Sequence, residues 1–131
     1  MKAYHGCSIS NLIKMVKRPE NGLFVTDTAA LAGRYANAQA TGVVSAAFAP
    51  LTTGACIVTV EIPDATVFCH RSDNHASLDV CEAYVQEFRI CSVVMNKFPY
   101  VNTIYGTRGN RMRFGEIVAS LEQKGIAWTN L

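Results

Sequence analysis

The chain has 131 residues, 50% hydrophobic and only 17% charged, a balance that excludes a disordered or low-complexity polypeptide and supplies a core for one domain. With 12 Lys and Arg against 10 Asp and Glu, the formal charge is +2, less basic than a duplex-binding domain usually is. No run approaches the roughly 20 apolar residues of a membrane span, and Met1 to Gly6 contains no apolar signal segment, so a single cytoplasmic domain over residues 1–131 is expected.

In chain order, Tyr4 opens next to His5 and Gly6, and Ile9, Leu12, Ile13 and Val16 then recur at helical spacing. Ser8 or Ser10 can cap that helix, and Pro19 closes it. Glu20-Asn21-Gly22 reads as a turn and Leu23 to Thr26 as a short apolar strand. Thr26 or Asp27 can cap an alanine-rich helix from Thr28 to about Gln39, which Gly42 ends; Leu31 and Tyr35 share one of its faces. The stretch Thr41 to Gly54 is nearly uncharged and carries no clear periodicity. Ala55 to Ile62 alternates and is rich in β-branched residues, a strand, and Pro63-Asp64 turns the chain. A further strand is expected over Thr66 to Cys69, a polar loop over His70 to Ala76, and a short helix from Ser77 to about Val85. Phe88 to Met95 reads as a strand buried on at least one face. Asn102 to Arg113 reads as a loop, Phe114, Ile117, Val118 and Leu121 as an amphipathic helix stopped at Gly125, and Ile126 to Trp128 as a last strand. The class is α+β.

The cysteines, Cys7, Cys56, Cys69, Cys81 and Cys91, are odd in number and form no C-x-x-C pair, which argues for reduced core thiols rather than a disulfide framework or a zinc ribbon. His70, Asp73, His75 and Asp79 crowd one segment, but their spacing matches no recurrent metal pattern, and a solvated polar loop is the simpler reading; no metal is expected. Cys7 follows His5 by two residues, so on a strand both point the same way, as a Cys–His nucleophile pair would. A buried structural cysteine is the simpler reading here too. Arg108, Arg111 and Arg113 could meet a phosphate or an acidic partner, or lie in a solvated loop. No Walker A, G-x-G-x-x-G or G-x-S-x-G motif occurs.

Three elements taken together resemble one family. Tyr4-His5-Gly6-Cys7 is similar to the Y-H-G-[ST] strand of ADP-ribosyltransferases of the diphtheria-toxin-like, H-Y-E type. Gly22 to Asp27 followed by Ala32-Gly33-Arg34-Tyr35-Ala36 resembles their second motif, a glycine and a short aromatic-bearing strand leading to a helix with A-x-x-Y-A. Glu87-Phe88-Arg89-Ile90 resembles the third, a glutamate leading a buried strand, with Glu82 as the competing position. The resemblance spans about Tyr4 to Val94. It implies a split, mostly antiparallel β core with flanking helices, and a small bacterial or phage enzyme such as a toxin, effector or host-takeover factor.

The implied reaction releases nicotinamide from NAD and passes ADP-ribose to a macromolecular acceptor, a protein or a nucleic acid. An imidazole on a strand suits a ribose hydroxyl, so His5 would hold the adenosine ribose. Gly6 would let its backbone approach the carboxamide. Phe24 and Tyr35 would sandwich the nicotinamide ring. Glu87, or alternatively Glu82, would face the oxocarbenium-like ribose. Three positions depart from the pattern: Cys7 replaces Thr or Ser, Phe24 replaces a frequent tyrosine, and Ala32 replaces a serine that binds the carboxamide in many members. The same residues would serve an NAD glycohydrolase, and the departures leave open a non-catalytic NAD-binding or protein-inhibitor module. Asn102–Arg113 and Thr41–Gly54 are the candidate target-selecting loops.

Overall fold

The computed structural model describes all residues except 18–21, 45–48, 64–68, 74–77 and 107–109; the side chains of 69–73 and 78–81 are likewise not described. The first half runs β1 (Lys2–Ser8), α1 (Ile9–Lys17), β2 (Leu23–Thr26), α2 (Ala29–Thr41) and β3 (Ala55–Glu61). The second half adds β4 (Cys69–Asp73), β5 (Leu78–Val85), β6 (Arg89–Met95), β7 (Thr103–Tyr105), β8 (Arg111–Arg113), α3 (Phe114–Gln123) and β9 (Ala127–Asn130). Seven strands form one sheet in the order β4-β5-β2-β1-β3-β6-β9, and β7 and β8 form a separate ribbon. All pairs are antiparallel except β6 with β9. The protein is therefore mixed α+β, with a mostly antiparallel sheet and three helices among the described residues.

The first helices follow their sequence signals closely. The expected stripe Ile9, Leu12, Ile13 and Val16 is the buried face of α1, and Ser8 is its cap, with Oγ accepting the Asn11 amide at 3.2 Å. The closing role given to Pro19 falls outside the described residues, as does most of the Glu20-Asn21-Gly22 turn. Helix α2 starts one residue later than expected: Thr28, rather than Thr26 or Asp27, accepts the Leu31 amide. Gly42 ends it in the left-handed conformation, φ 75°, where a Cβ would be strained.

Three expectations are overturned. The segment expected as a helix from Ser77 to Val85 is the strand β5, paired with β2 on one side and β4 on the other. Its visible half alternates, with Ala83 and Val85 buried and Glu82 and Tyr84 on the opposite, more open face, which is the period of a strand. Pairing with two neighbours satisfies its backbone in a way local helix propensity cannot anticipate. The polar stretch from His70 is in its first part strand β4, the outer edge of the sheet, where polar and charged residues are at home. The Thr66–Phe68 strand, the Ser77 cap and His75 lie outside the described residues. Within the expected Asn102–Arg113 loop, Thr103–Tyr105 and Arg111–Arg113 are strands, and Ile104 and Met112 pair across β7 and β8 and are both buried.

The sheet is covered on both faces. Ala3 and Cys7 of β1 join Leu12, Ile13, Val58, Ile117 and Leu121 in the main core, under α1 and α3. The intervening Gly6 faces α2, whose Ala32 and Ala36 are fully buried. A Cβ on Gly6 would strike the Ala32 carbonyl and lie 2.9 Å from the Ala36 amide nitrogen, so α2 rests directly on the β1 backbone. Gly33, one residue along, is different: a Cβ there would meet only Ile57 Cδ1, at 3.4 Å. Gly33→Ala is therefore expected to stabilise the protein by roughly 0.5–1 kcal/mol through helix propensity, seen as a higher urea midpoint at unchanged slope. A lower midpoint would mean that α2 sits closer to β3 than described.

Candidate functional site

Strands β1 and β2 pair only at Tyr4 with Thr26, and β2 pairs in turn with β5, setting Thr26 opposite Glu82. Tyr4, Thr26 and Glu82 thus form one row across three strands, on the face that carries α2. A cavity of ≈ 410 Å³ opens between this row and the helix, lined by Tyr4, His5, Gly6, Phe24, Thr26, Tyr35, Ala38, Gln39 and Glu82. All four residues expected to hold NAD, His5, Gly6, Phe24 and Tyr35, therefore line one cleft. Of the two glutamates, Glu82 lines it; Glu87 lies in the turn after β5, exposed, beside Pro63, Tyr84 and Gln86. Arg111 and Arg113 lie on β8, away from the cleft; Arg108 falls outside the described residues.

A second cavity of ≈ 340 Å³ adjoins the first and shares His5, Phe24 and Gln39 with it. Its other walls include Cys7, Asn11, Lys14, Gly22 and Tyr84. His5 stands at the junction. Its Nδ1 lies 2.6 Å from the Phe24 carbonyl oxygen, so Nδ1 carries a proton and donates it. This bond joins β1 to β2 where the ladder between them is missing. Gln39 braces the other side: its Oε1 accepts the Ser8 amide at 3.0 Å and the Asn11 side-chain amide at 2.8 Å. Phe24 is 58% exposed and meets Tyr84, 54% exposed, edge-on at 5.0 Å between ring centroids. Two large aromatic rings held open to solvent at a cavity mouth are poor core and good stacking surface.

Sequence reasoning missed Tyr4, Thr26, Gln39 and Tyr84. Gln39 was within reach, since it follows Tyr35 by four residues on the same helix face. Tyr84 and the row through Thr26 needed the β2–β5 pairing, which the helix assignment of β5 hid.

Beneath the cleft, Cys7 and Cys56 face each other in register across β1 and β3, Sγ to Sγ at 3.3 Å. The Cys56 thiol lowers the Cys7 thiol below its ordinary range, burial opposes this, and His5 adds to the lowering. Cys56 is pushed up correspondingly, so the pair holds one ionisable sulfur and one retained proton. Burial by itself depresses the His5 imidazole, but the neighbouring Cys7 sulfur, followed by the Phe24 carbonyl, more than offsets it, and its pKa is raised above 6.5. Cys7→Ser keeps the shape and removes the ionisable partner, so the His5 imidazole should titrate at lower pH than in the wild type. An NMR titration of the histidine resonances checks this; an unmoved or higher midpoint would separate His5 from the sulfur pair.

No group of three or more His, Cys, Asp or Glu placed to hold a metal occurs among the described residues. His70 and Asp73 lie on β4 and Asp79 on β5. Among the described residues no helix is long and apolar enough to cross a membrane. No protein-family model, curated protein or solved structure matches this chain.

Proposed function

We propose that the cleft binds NAD and that the protein is an ADP-ribosyltransferase, with Glu82 rather than Glu87 as the carboxylate at the reacting ribose. The observation that carries this reading is the convergence of His5, Gly6, Phe24, Tyr35 and Glu82 on one cavity from β1, β2, α2 and β5. Five positions named for four tasks on one substrate, Glu82 among them as the alternative carboxylate, meet in one place. The single paired position between β1 and β2 supports the further reading that this is the split sheet of that family. The two adjoining cavities, ≈ 410 and ≈ 340 Å³, suit a ligand with two halves, and each falls in the usual range of ligand sites, roughly 300–1,000 Å³.

In this account the nicotinamide ring stacks on Phe24 and Tyr35 in the first cavity. His5 reaches a hydroxyl of the adenosine ribose, which extends into the second cavity, with Lys14 on its rim near the phosphates. The bond from ribose C1′ to the nicotinamide nitrogen breaks and its electron pair leaves with nicotinamide. The Glu82 carboxylate, held on a strand, faces the positive charge that develops on the sugar. An acceptor nucleophile then bonds to C1′ and gives up its proton to solvent. Water in place of that acceptor would make the protein a glycohydrolase.

Calorimetric titration of NAD tests the binding half of this reading. Wild type should bind, and Tyr35→Ala should bind ~10-fold more weakly, the scale of one lost ring contact of about 1.4 kcal/mol. Equal affinity in Tyr35→Ala would remove the stacking role, and no binding to wild type would remove the proposal.

A further inference from the structure

We propose that Cys7 and Cys56 are an oxidative modification site: a dithiol that small hydroperoxides close to a reversible disulfide behind the cleft. Four observations carry this independently of what the cleft binds. The two residues are direct partners in an antiparallel ladder, where Cα atoms stand roughly 4.5–5.5 Å apart, inside the span a disulfide bridges. Their sulfurs are already 3.3 Å apart, so closure asks for a small rotation and no change of register. Both are free thiols, 1% and 0% exposed, yet Cys7 also forms part of the wall of the second cavity, which gives a small oxidant a route to it. His5 lies two residues before Cys7 on the same strand face and lines the same cavity, and its imidazole favours the Cys7 thiolate, the form that reacts with peroxide.

The chemistry balances with a hydroperoxide as the oxidant. The Cys7 thiolate attacks one peroxide oxygen, the O–O bond breaks, and the remaining alkoxide or hydroxide leaves and takes a proton. Cys7 is now a sulfenic acid. The Cys56 sulfur attacks the Cys7 sulfur, the S–S bond forms, the S–O bond breaks, and hydroxide departs with the Cys56 proton as water. Two thiols lose two electrons in all, and the peroxide gains them. Closure also withdraws the thiol from His5, which lines both cavities, so oxidation reaches the cleft through one imidazole.

The experiment treats the full chain with hydrogen peroxide at a low molar ratio, blocks remaining thiols, and maps peptides by mass spectrometry without reduction. The expected result is a Cys7–Cys56 linked peptide that dithiothreitol abolishes, with Cys69, Cys81 and Cys91 still alkylated. The cross-link closes a long loop, so the oxidised protein should melt higher by roughly 10 °C, and the His5 ring resonances should move on oxidation and return on reduction. Cys56→Ser should lose both the linked peptide and the melting shift and accumulate sulfenic acid on Cys7. Should that variant fail to fold, the wild-type peptide map decides alone. Alkylated Cys7 and Cys56 after peroxide, or a disulfide that joins another pair, would overturn the proposal.

Discussion

Glu82→Gln is expected to lower the rate of nicotinamide release by ~10²–10³-fold, the usual cost of removing one preorganised electrostatic contact from a transition state. The substitution keeps size and hydrogen-bonding capacity and removes only the charge. Ground-state contacts with NAD are thereby largely retained, so the loss should fall on kcat with little change in KM. Glu87→Gln should leave the rate unchanged, because Glu87 sits in the exposed turn beyond β5 and does not line the cleft. The pair of variants is decisive because each is the other's control. Loss of activity in Glu87→Gln alone would place the chemistry outside the cleft and remove the assignment of Glu82.

The second large effect concerns stability. Gly6→Ala is expected to destabilise the protein by about 3 kcal/mol, the upper part of the range for inserting atoms into a packed interior. The new methyl would collide with the Ala32 carbonyl of α2, and backbone cannot swing aside as a flexible side chain can. Relief requires the helix to lift from β1, which would also uncover Ala32 and Ala36, now fully buried. A fall in melting temperature of roughly 10 °C follows from that energy for a domain of this size. NAD binding by the surviving folded fraction should weaken as well, since Tyr35 rides on the same helix. A melting temperature within error of wild type would mean that α2 does not rest on the β1 backbone. Gly6 thus has a structural reason to be glycine beside the functional one read from the sequence.

Much of this cleft is legible in the sequence. His5, Gly6, Phe24 and Tyr35 are readable because each sits in a short local segment whose form its own residues determine: a strand before a capped helix, a strand after a turn, an alanine-rich helix. The carboxylate was harder. Leu78 to Val85 contains alanine, glutamate and leucine, good helix formers, and only pairing with β2 and β4 makes it a strand. The longer apolar run from Phe88 to Met95 favours Glu87 as the leading glutamate, and the helix reading of Ser77 to Val85 leaves Glu82 as the alternative. Once β5 is a strand, its register with Thr26 brings Glu82 to the cavity and leaves Glu87 in the turn. The Cys7–Cys56 pair was invisible for the same reason, since 49 residues separate the two and only the β1–β3 register joins them. The resemblance rests on short local motifs, of which the first two meet at the cleft and the third, led by Glu87, does not.

The central claim is that this cleft breaks the nicotinamide–ribose bond of NAD, and the most direct test is to measure nicotinamide release by the purified protein with and without a cell lysate. The account predicts release that the lysate stimulates, with ADP-ribose appearing on a macromolecule and the signal lost in Glu82→Gln. Release of equal extent without lysate would make the protein a glycohydrolase on the same site. No release under either condition, from a protein that is folded, would contradict the account.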